Sequence, residues 1–139
     1  MHNILIIGFG SSSTRHIKNL SLINKDYYFY ILSRKKEIKV NFLSKKKYCH
    51  ITKISELNLD QIKNAFICTG SNEHLKYIKT LSKRKIDIFV EKPLMNSTKK
   101  MKDFKKIYKK TKNKLYIGYN LLFSNSLNYL KKKEIYKEN

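Results

Sequence analysis

Two short stretches of this 139-residue sequence hold residue types at spacings that could do chemistry. The first is Gly8-Phe9-Gly10-Ser11-Ser12-Ser13, a G-x-G-x-x-G pattern with Ser13 in the third glycine's place. Gly8 can take a tight turn out of a strand, and Gly10 lets the backbone approach a pyrophosphate with no Cβ in the way. A helix opening at Ser11 and Ser12 would aim its free N–H groups and positive dipole end at the phosphates. Ser13 is a mild replacement that costs some closeness of helix-to-strand packing. Glycine-rich turns are common, so the pattern gains weight only where it follows a strand and opens a helix.

The second stretch is Ser33-Arg34-Lys35. In a dinucleotide fold the end of the second strand usually carries Asp or Glu, which holds the ribose hydroxyls. Here it carries a hydroxyl and two cations, while Asp26 precedes the strand, at the wrong edge of a sheet. Ser33 donating a hydrogen bond and Arg34 stacking or pairing suit a 2′-phosphate, so NADP is favoured over NAD. An ordinary basic loop in a Lys-rich chain is the competing reading.

The elements needed to position these residues are legible in the hydrophobic pattern. Residues 3–7 form a continuous apolar run, as in a strand buried on both faces, and Ile17, Leu20 and Ile23 follow at helical spacing within about 12–23. The aromatic and β-branched run 27–32 predicts a second strand, which completes a βαβ unit of roughly 30 residues. Residues 37–47 are weakly helical, 48–51 suit a short third strand, and 55–62 a short helical turn. The pattern sharpens in a strand at 65–69 closed by Gly70, a helix at about 73–83, a strand at 86–90, and an amphipathic helix at 97–110. A last strand at 115–119 precedes an ambiguous apolar stretch and a helix at about 124–136. Strands alternating with helices predict an α/β doubly wound parallel sheet, one domain over residues 1–139 with no interior boundary.

Composition narrows the classes. Lys and Arg number 31 against 10 Asp and Glu, a formal charge of +21, and 41% of residues are hydrophobic, enough for a real core. The charge raises nucleic-acid binding through counterion release. Only Arg15, Arg34 and Arg84 carry the guanidinium that grips phosphates and base edges best, and the Lys excess reads as solvated helix faces, so nucleic acid is not the expected partner. Cys49 and Cys68 are too few and too far apart for a disulfide framework and suit a reducing cytoplasm. No run approaches a membrane span of about 18 residues, and Ile4 to Ile7 is too short for a signal peptide; a soluble, cytoplasmic protein with no membrane association is expected.

Four blocks decide a family. Gly8-Phe9-Gly10-Ser11 with Thr14-Arg15-His16 and Asn19-Leu20, then Ile67-Cys68-Thr69 with Asn72 and His74, then Val90-Glu91-Lys92-Pro93-Leu94, and Gly118-Tyr119-Asn120 with Phe123 occur in that order over about residues 3–130. Together they resemble the N-terminal NAD(P)-binding Rossmann domain of the glucose–fructose oxidoreductase, inositol dehydrogenase and MocA-type (Gfo/Idh/MocA) family. Glu-Lys-Pro at the end of a strand is the most specific of them.

The resemblance implies an NAD(P)-dependent oxidoreductase that moves hydride between the nicotinamide and a hydroxyl or carbonyl carbon of a sugar, cyclitol or related compound. Cofactor contacts then fall on Gly8, Phe9, Gly10, Ser11, Ser12, Ser33, Arg34, Thr69, Gly70, Asn72, His74, Glu91, Lys92 and Pro93. Lys92 is implied as the catalytic residue, holding the substrate hydroxyl, stabilising developing negative charge, or shuttling a proton. Glu91 would orient it and Pro93 fix the turn. Lys92 and Asn120 would contact substrate, although Leu122 stands where the family often has Arg. His74 reads equally well as a helix-start residue with a structural hydrogen bond. Arg15 and His16 read as packing or phosphate-proximal rather than catalytic.

The same resemblance implies a C-terminal substrate domain with a catalytic histidine in an H-x-x-x-D pattern. His2, His16, His50 and His74 do not match that pattern, and residues 120–139 resemble the connection to such a domain. The expectation is therefore a truncated chain that lacks the substrate domain, paired with a separately encoded one or self-associating through Leu121, Leu122, Phe123 and Leu127. A dinucleotide-binding module without catalysis of its own, and a Lys-rich nucleic-acid binder, are the alternatives.

Overall fold

The computed structural model of the protein describes residues 2–119 and 124–132. Its opening apolar run is β1 (His2–Ile7), whose side chains alternate between two cores. Ile4 and Ile6 join Ile17, Phe29 and Ile31 on one face, while Leu5 and Ile7 join Ala65, Ile67, Ile78 and Val90 on the other. A strand segment with no solvent face needs apolar residues at every position, and Ile4 to Ile7 supply them, while His2 and Asn3 lie at its more open start.

Beside β1 lie β2 (Tyr27–Leu32), β3 (Tyr48–Ile51), β4 (Ile62–Ile67), β5 (Asp87–Val90) and β6 (Leu115–Ile117). All pair in parallel, in the order β3-β2-β1-β4-β5-β6. The helices are α1 (Ser11–Ile23), α2 (Ser71–Leu81), α3 (Thr98–Lys110) and α4 (Asn125–Lys132). Ile17 anchors α1 to one face of the sheet, and Ile78, Leu81 and Phe104 anchor α2 and α3 to the other. This is the doubly wound sheet the pattern predicts. The chain leaves β1 in one direction for β2 and β3 and crosses back for β4, β5 and β6. The reversal opens a crevice at the C-terminal ends of β1 and β4, where ligands of open α/β sheets bind.

Several boundaries differ from those expected. Residues 37–47 are irregular apart from a 3₁₀ turn at Lys45–Lys47, because Ile38, Val40 and Leu43 pack beneath β2 at a spacing no helix face provides. The turn expected at 55–62 is two 3₁₀ turns, Ile54–Glu56 and Leu59–Gln61. Strand β4 begins at Ile62, not Ala65, since a register shift against β1 lets the polar pair Lys63 and Asn64 point outward at the strand's start. Helix α2 starts two residues earlier, capped by Gly70. Strand β6 ends at Ile117, short of Tyr119. Leu127 is half-buried in α4; Asn120, Leu121, Leu122, Phe123 and the end of the last expected helix lie outside the described residues. Among the described residues no helix is long and apolar enough to cross a membrane.

Candidate functional site

The glycine turn stands at the crevice, between β1 and α1. Gly8 has φ +94°, in the left-handed region, and a Cβ there would lie 3.0 Å from the carbonyl of Cys68 and 3.1 Å from Thr69 Cγ2. A side chain is opposed both by conformation and by the turn that follows β4. Gly10 caps α1 in extended backbone, and a Cβ on it would meet nothing within 4 Å. The space above it is therefore open to a ligand, over the first turn of α1 that Ser11 and Ser12 begin.

Ser13 does more than fit. It is fully buried, its Oγ accepts the Gly10 N–H at 2.8 Å, and its hydroxyl donates to the Gly10 carbonyl at 2.9 Å. The hydroxyl folds back on the helix start and holds the turn closed, a contact that a third glycine could not make.

A cleft of about 310 Å³ runs from this turn to the end of β2. Ser33 is buried there, and its Oγ accepts the Lys35 N–H at 3.2 Å, which leaves the hydroxyl hydrogen for a further acceptor. The Arg34 side chain is 88% exposed, with Nη2 3.6 Å from Glu73 Oε2, and Lys35 Nζ lies 5.3 Å from the centre of the Phe9 ring. On the β4 side are Thr69 and Gly70, and the Thr69 Oγ1 is buried without a partner among the described residues. Tyr77 also lines the cleft; burial and the Glu73 carboxylate raise its phenol above the ordinary value, partly offset by Arg34.

A second cleft of about 390 Å³ opens at the ends of β5 and β6, on the far side of the α1 start. Its floor is Glu91, 13% exposed at the side chain, whose Oε1 is 2.7 Å from His16 Nε2 and 4.0 Å from Arg15 Nη2. The other carboxylate oxygen, Oε2, accepts the Lys92 N–H at 3.3 Å. Lys92 is exposed on the rim, joined to Pro93 by a cis peptide bond. A Cβ on Gly118 would come within 3.0 Å of Phe89 Cζ and 3.3 Å of Glu91 Oε2, so a side chain here would press on both.

Of the residues singled out in the sequence, Gly8, Phe9, Gly10, Ser33, Arg34, Thr69 and Gly70 line the first cleft, and Glu91 and Lys92 the second. His74 is brought to neither. It is fully buried, with Nε2 2.8 Å from the Thr69 carbonyl and Nδ1 3.1 Å from the Leu94 carbonyl, and so ties the β4 turn to the turn after β5. Asn72 is exposed and its side chain turns back over Gly70. Asn120 lies outside the described residues. Sequence reasoning gave no site role to Glu73, Tyr77 or Cys68, which line the first cleft, and read Arg15 and His16 as packing or phosphate-proximal; both line the second cleft, where His16 packs against Phe66 and Phe89. Glu73 could have been found as an acid in the first turn of a helix facing the basic end of β2. The link from His16 to Glu91 spans 75 positions and leaves no local signal.

A sequence profile of an oxidoreductase family with an NAD-binding Rossmann fold, the Gfo/Idh/MocA family, matches residues 2–119. No curated protein matches the chain. Among solved structures, the probable oxidoreductase yhhX is similar at a TM-score of 0.77 and 23% identity, over 96% of this chain and 40% of its own. The UDP-N-acetylglucosamine 3-dehydrogenase GnnA from Acidithiobacillus ferrooxidans is similar at 0.76 and 16% identity, over 96% of this chain and 44% of its own. GenD2 from gentamicin A biosynthesis, solved in complex with NAD, is similar at 0.79 and 15% identity, over 95% of this chain and 38% of its own. The chain thus spans about 40% of the length of the solved structures it matches.

Proposed function

Because the chain belongs to the Gfo/Idh/MocA oxidoreductase family through its NAD-binding Rossmann domain, we propose that it binds NADP and serves hydride transfer on a sugar- or cyclitol-like substrate. The observation that carries the cofactor reading is the open space above Gly10, beside a Gly8 that no other residue can replace, where the strand order reverses. The Ser33 hydroxyl, on the wall of the same cleft with its hydrogen free of the Lys35 contact, fits a polar ligand of that length.

The proposal gives each of these residues a role. Gly8, Phe9, Gly10 and the start of α1 at Ser11 and Ser12 take the pyrophosphate. Ser33 and Arg34 take the 2′-phosphate, for which an acidic residue at the end of β2 would be repulsive. Thr69, Gly70 and Asn72 line the way past β4, with His74 bracing the turn from behind. Glu91, Lys92 and Pro93 form the nicotinamide side. When bound, the cofactor supplies or accepts hydride. Lys92, on the rim of the second cleft, holds the substrate oxygen and moves its proton, and Asn120 is assigned a substrate contact on the family resemblance alone.

Calorimetric titration with NADPH and NADH side by side tests this reading. Micromolar NADPH binding is expected, about tenfold tighter than NADH, the scale of one charge-assisted hydrogen bond. Arg34→Ala should close that gap. Glu73→Gln, which frees Arg34 and removes a carboxylate from the cleft, should tighten NADPH by about twofold to fivefold, the worth of an exposed ion pair. Absence of binding by either dinucleotide overturns the proposal.

A further inference from the structure

We propose that His16 is a positioning residue: its hydrogen bond fixes the Glu91 carboxylate, and through it the Lys92 backbone, as the wall that meets the nicotinamide end of the dinucleotide. The proposal rests on the dinucleotide reading above and assigns a role within that site.

Glu91 is a carboxylate in a mostly covered position beside the ring of Phe89, where an unpaired charge would be costly. Its two oxygens are satisfied from different directions. Oε2 accepts the Lys92 N–H at 3.3 Å, a long bond within its own turn. Oε1 faces His16 Nε2 at 2.7 Å, the shortest contact the carboxylate makes among the described residues. Arg15 stands 4.0 Å from the same oxygen, but its side chain is 63% exposed and solvent screens it.

The imidazole is itself held in place. Its ring centre lies 5.4 Å from that of Phe66 on β4 and 5.0 Å from that of Phe89 on β5, the second edge-on. The hydrogen bond is therefore aimed by two strands of the sheet, not by the freedom of a side chain on a helix. Packing alone does not require histidine here, since any large apolar ring fits between two phenylalanines. Only a ring with an N–H also reaches the carboxylate. Gly118 completes the arrangement by leaving no side chain between Glu91 Oε2 and the cleft.

The test compares His16→Phe, which keeps the ring packing and loses the donor, with His16→Gln, which keeps an N–H donor and loses the ring. Three readouts are followed in each: NADPH affinity by calorimetry, the change in nicotinamide fluorescence on binding, and affinity for 2′,5′-ADP, which carries the adenosine end alone. His16→Phe should weaken NADPH about tenfold, equivalent to about 1.4 kcal/mol, abolish the fluorescence change, and leave 2′,5′-ADP as in the parent. His16→Gln should recover NADPH affinity to within about threefold of the parent, a loss below that 1.4 kcal/mol. Equal loss of both ligands in His16→Phe, or no loss of either, overturns the role of His16 while the dinucleotide reading stands. A parent chain that binds neither NADPH nor 2′,5′-ADP overturns both.

Discussion

Cys68 lies where β4 meets the glycine turn, its N–H bonded to the Ile7 carbonyl at 2.8 Å, and its carbonyl is what closes Gly8 to any side chain. Burial, reinforced by the Glu91 carboxylate, pushes its thiol up to about 12. At neutral pH the group is therefore an uncharged packing residue and not a thiolate nucleophile or a redox centre. The same shift has a stability consequence with a definite sign. Above pH about 9 the unfolded chain releases this proton while the folded chain keeps it, so the thiol's contribution is fully present below that pH and is lost as pH rises toward 12. Denaturant titrations between pH 8 and 10.5 should show the parent losing stability more steeply than Cys68→Ala; parallel curves would refute this. Tyr28 and Tyr77 are shifted the same way by burial and remain in both proteins, so the difference isolates the cysteine. The local setting of single residues was legible wherever it depended on near neighbours, as for the turn at Gly8-Phe9-Gly10 and the strand end at Glu91-Lys92-Pro93. It was hidden wherever the partner is remote, as for Cys68 with Gly8 or His16 with Glu91.

At the scale of elements, α1 shows how a sequence that departs from a motif can still keep its geometry. The third glycine of a dinucleotide turn serves close packing of helix on strand. Ser13 occupies that place fully buried and adds two hydrogen bonds to Gly10, so the hydroxyl replaces conformational freedom with a cap. Ser13→Ala should then cost about 1 kcal/mol, the usual worth of a capping hydroxyl, seen as a fall of about 3 °C in Tm. An unchanged Tm would mean that solvent satisfies Gly10 equally well. The long periodic elements, β1, α1, β2 and α3, stood in the sequence nearly as they stand in the fold, because each has one face, or both, to bury. The connection between β2 and β3 did not, because Ile38, Val40 and Leu43 are ordered by the underside of β2 and by no period of their own. The start of β4 was missed for a related reason. Lys63 and Asn64 interrupt an apolar run, and only the register shift against β1 shows that the strand tolerates them.

At the scale of the molecule, the +21 charge meets a fold whose ion pairs among the described residues are few and mostly exposed. Its clearest concentration is a hollow of about 640 Å³ at the N-terminal edge of the sheet, away from both clefts. Lys83, Arg84, Lys85, Lys110 and Lys112 crowd there around one carboxylate, Asp60, which Arg84 holds at 3.0 Å. Like charges brought together by folding destabilise the compact state more than the expanded one. Salt screens that repulsion, because the Debye length falls from about 30 Å at 0.01 M to about 8 Å at 0.15 M. The exposed pairs that salt also weakens are worth at most about 1 kcal/mol each. The repulsive term is the larger, so the Tm should rise by several degrees as sodium chloride increases from 10 to 200 mM, where a protein held together by ion pairs would show a fall. Replacing Lys83, Lys85 and Lys112 by Gln should raise the Tm at 10 mM and flatten the rise. Because the hollow lies at the opposite edge of the sheet from the glycine turn, NADPH affinity measured at one fixed salt concentration should be the same in that triple variant as in the parent. A variant that gains stability and loses the cofactor would show that the surface charge and the site are not separable.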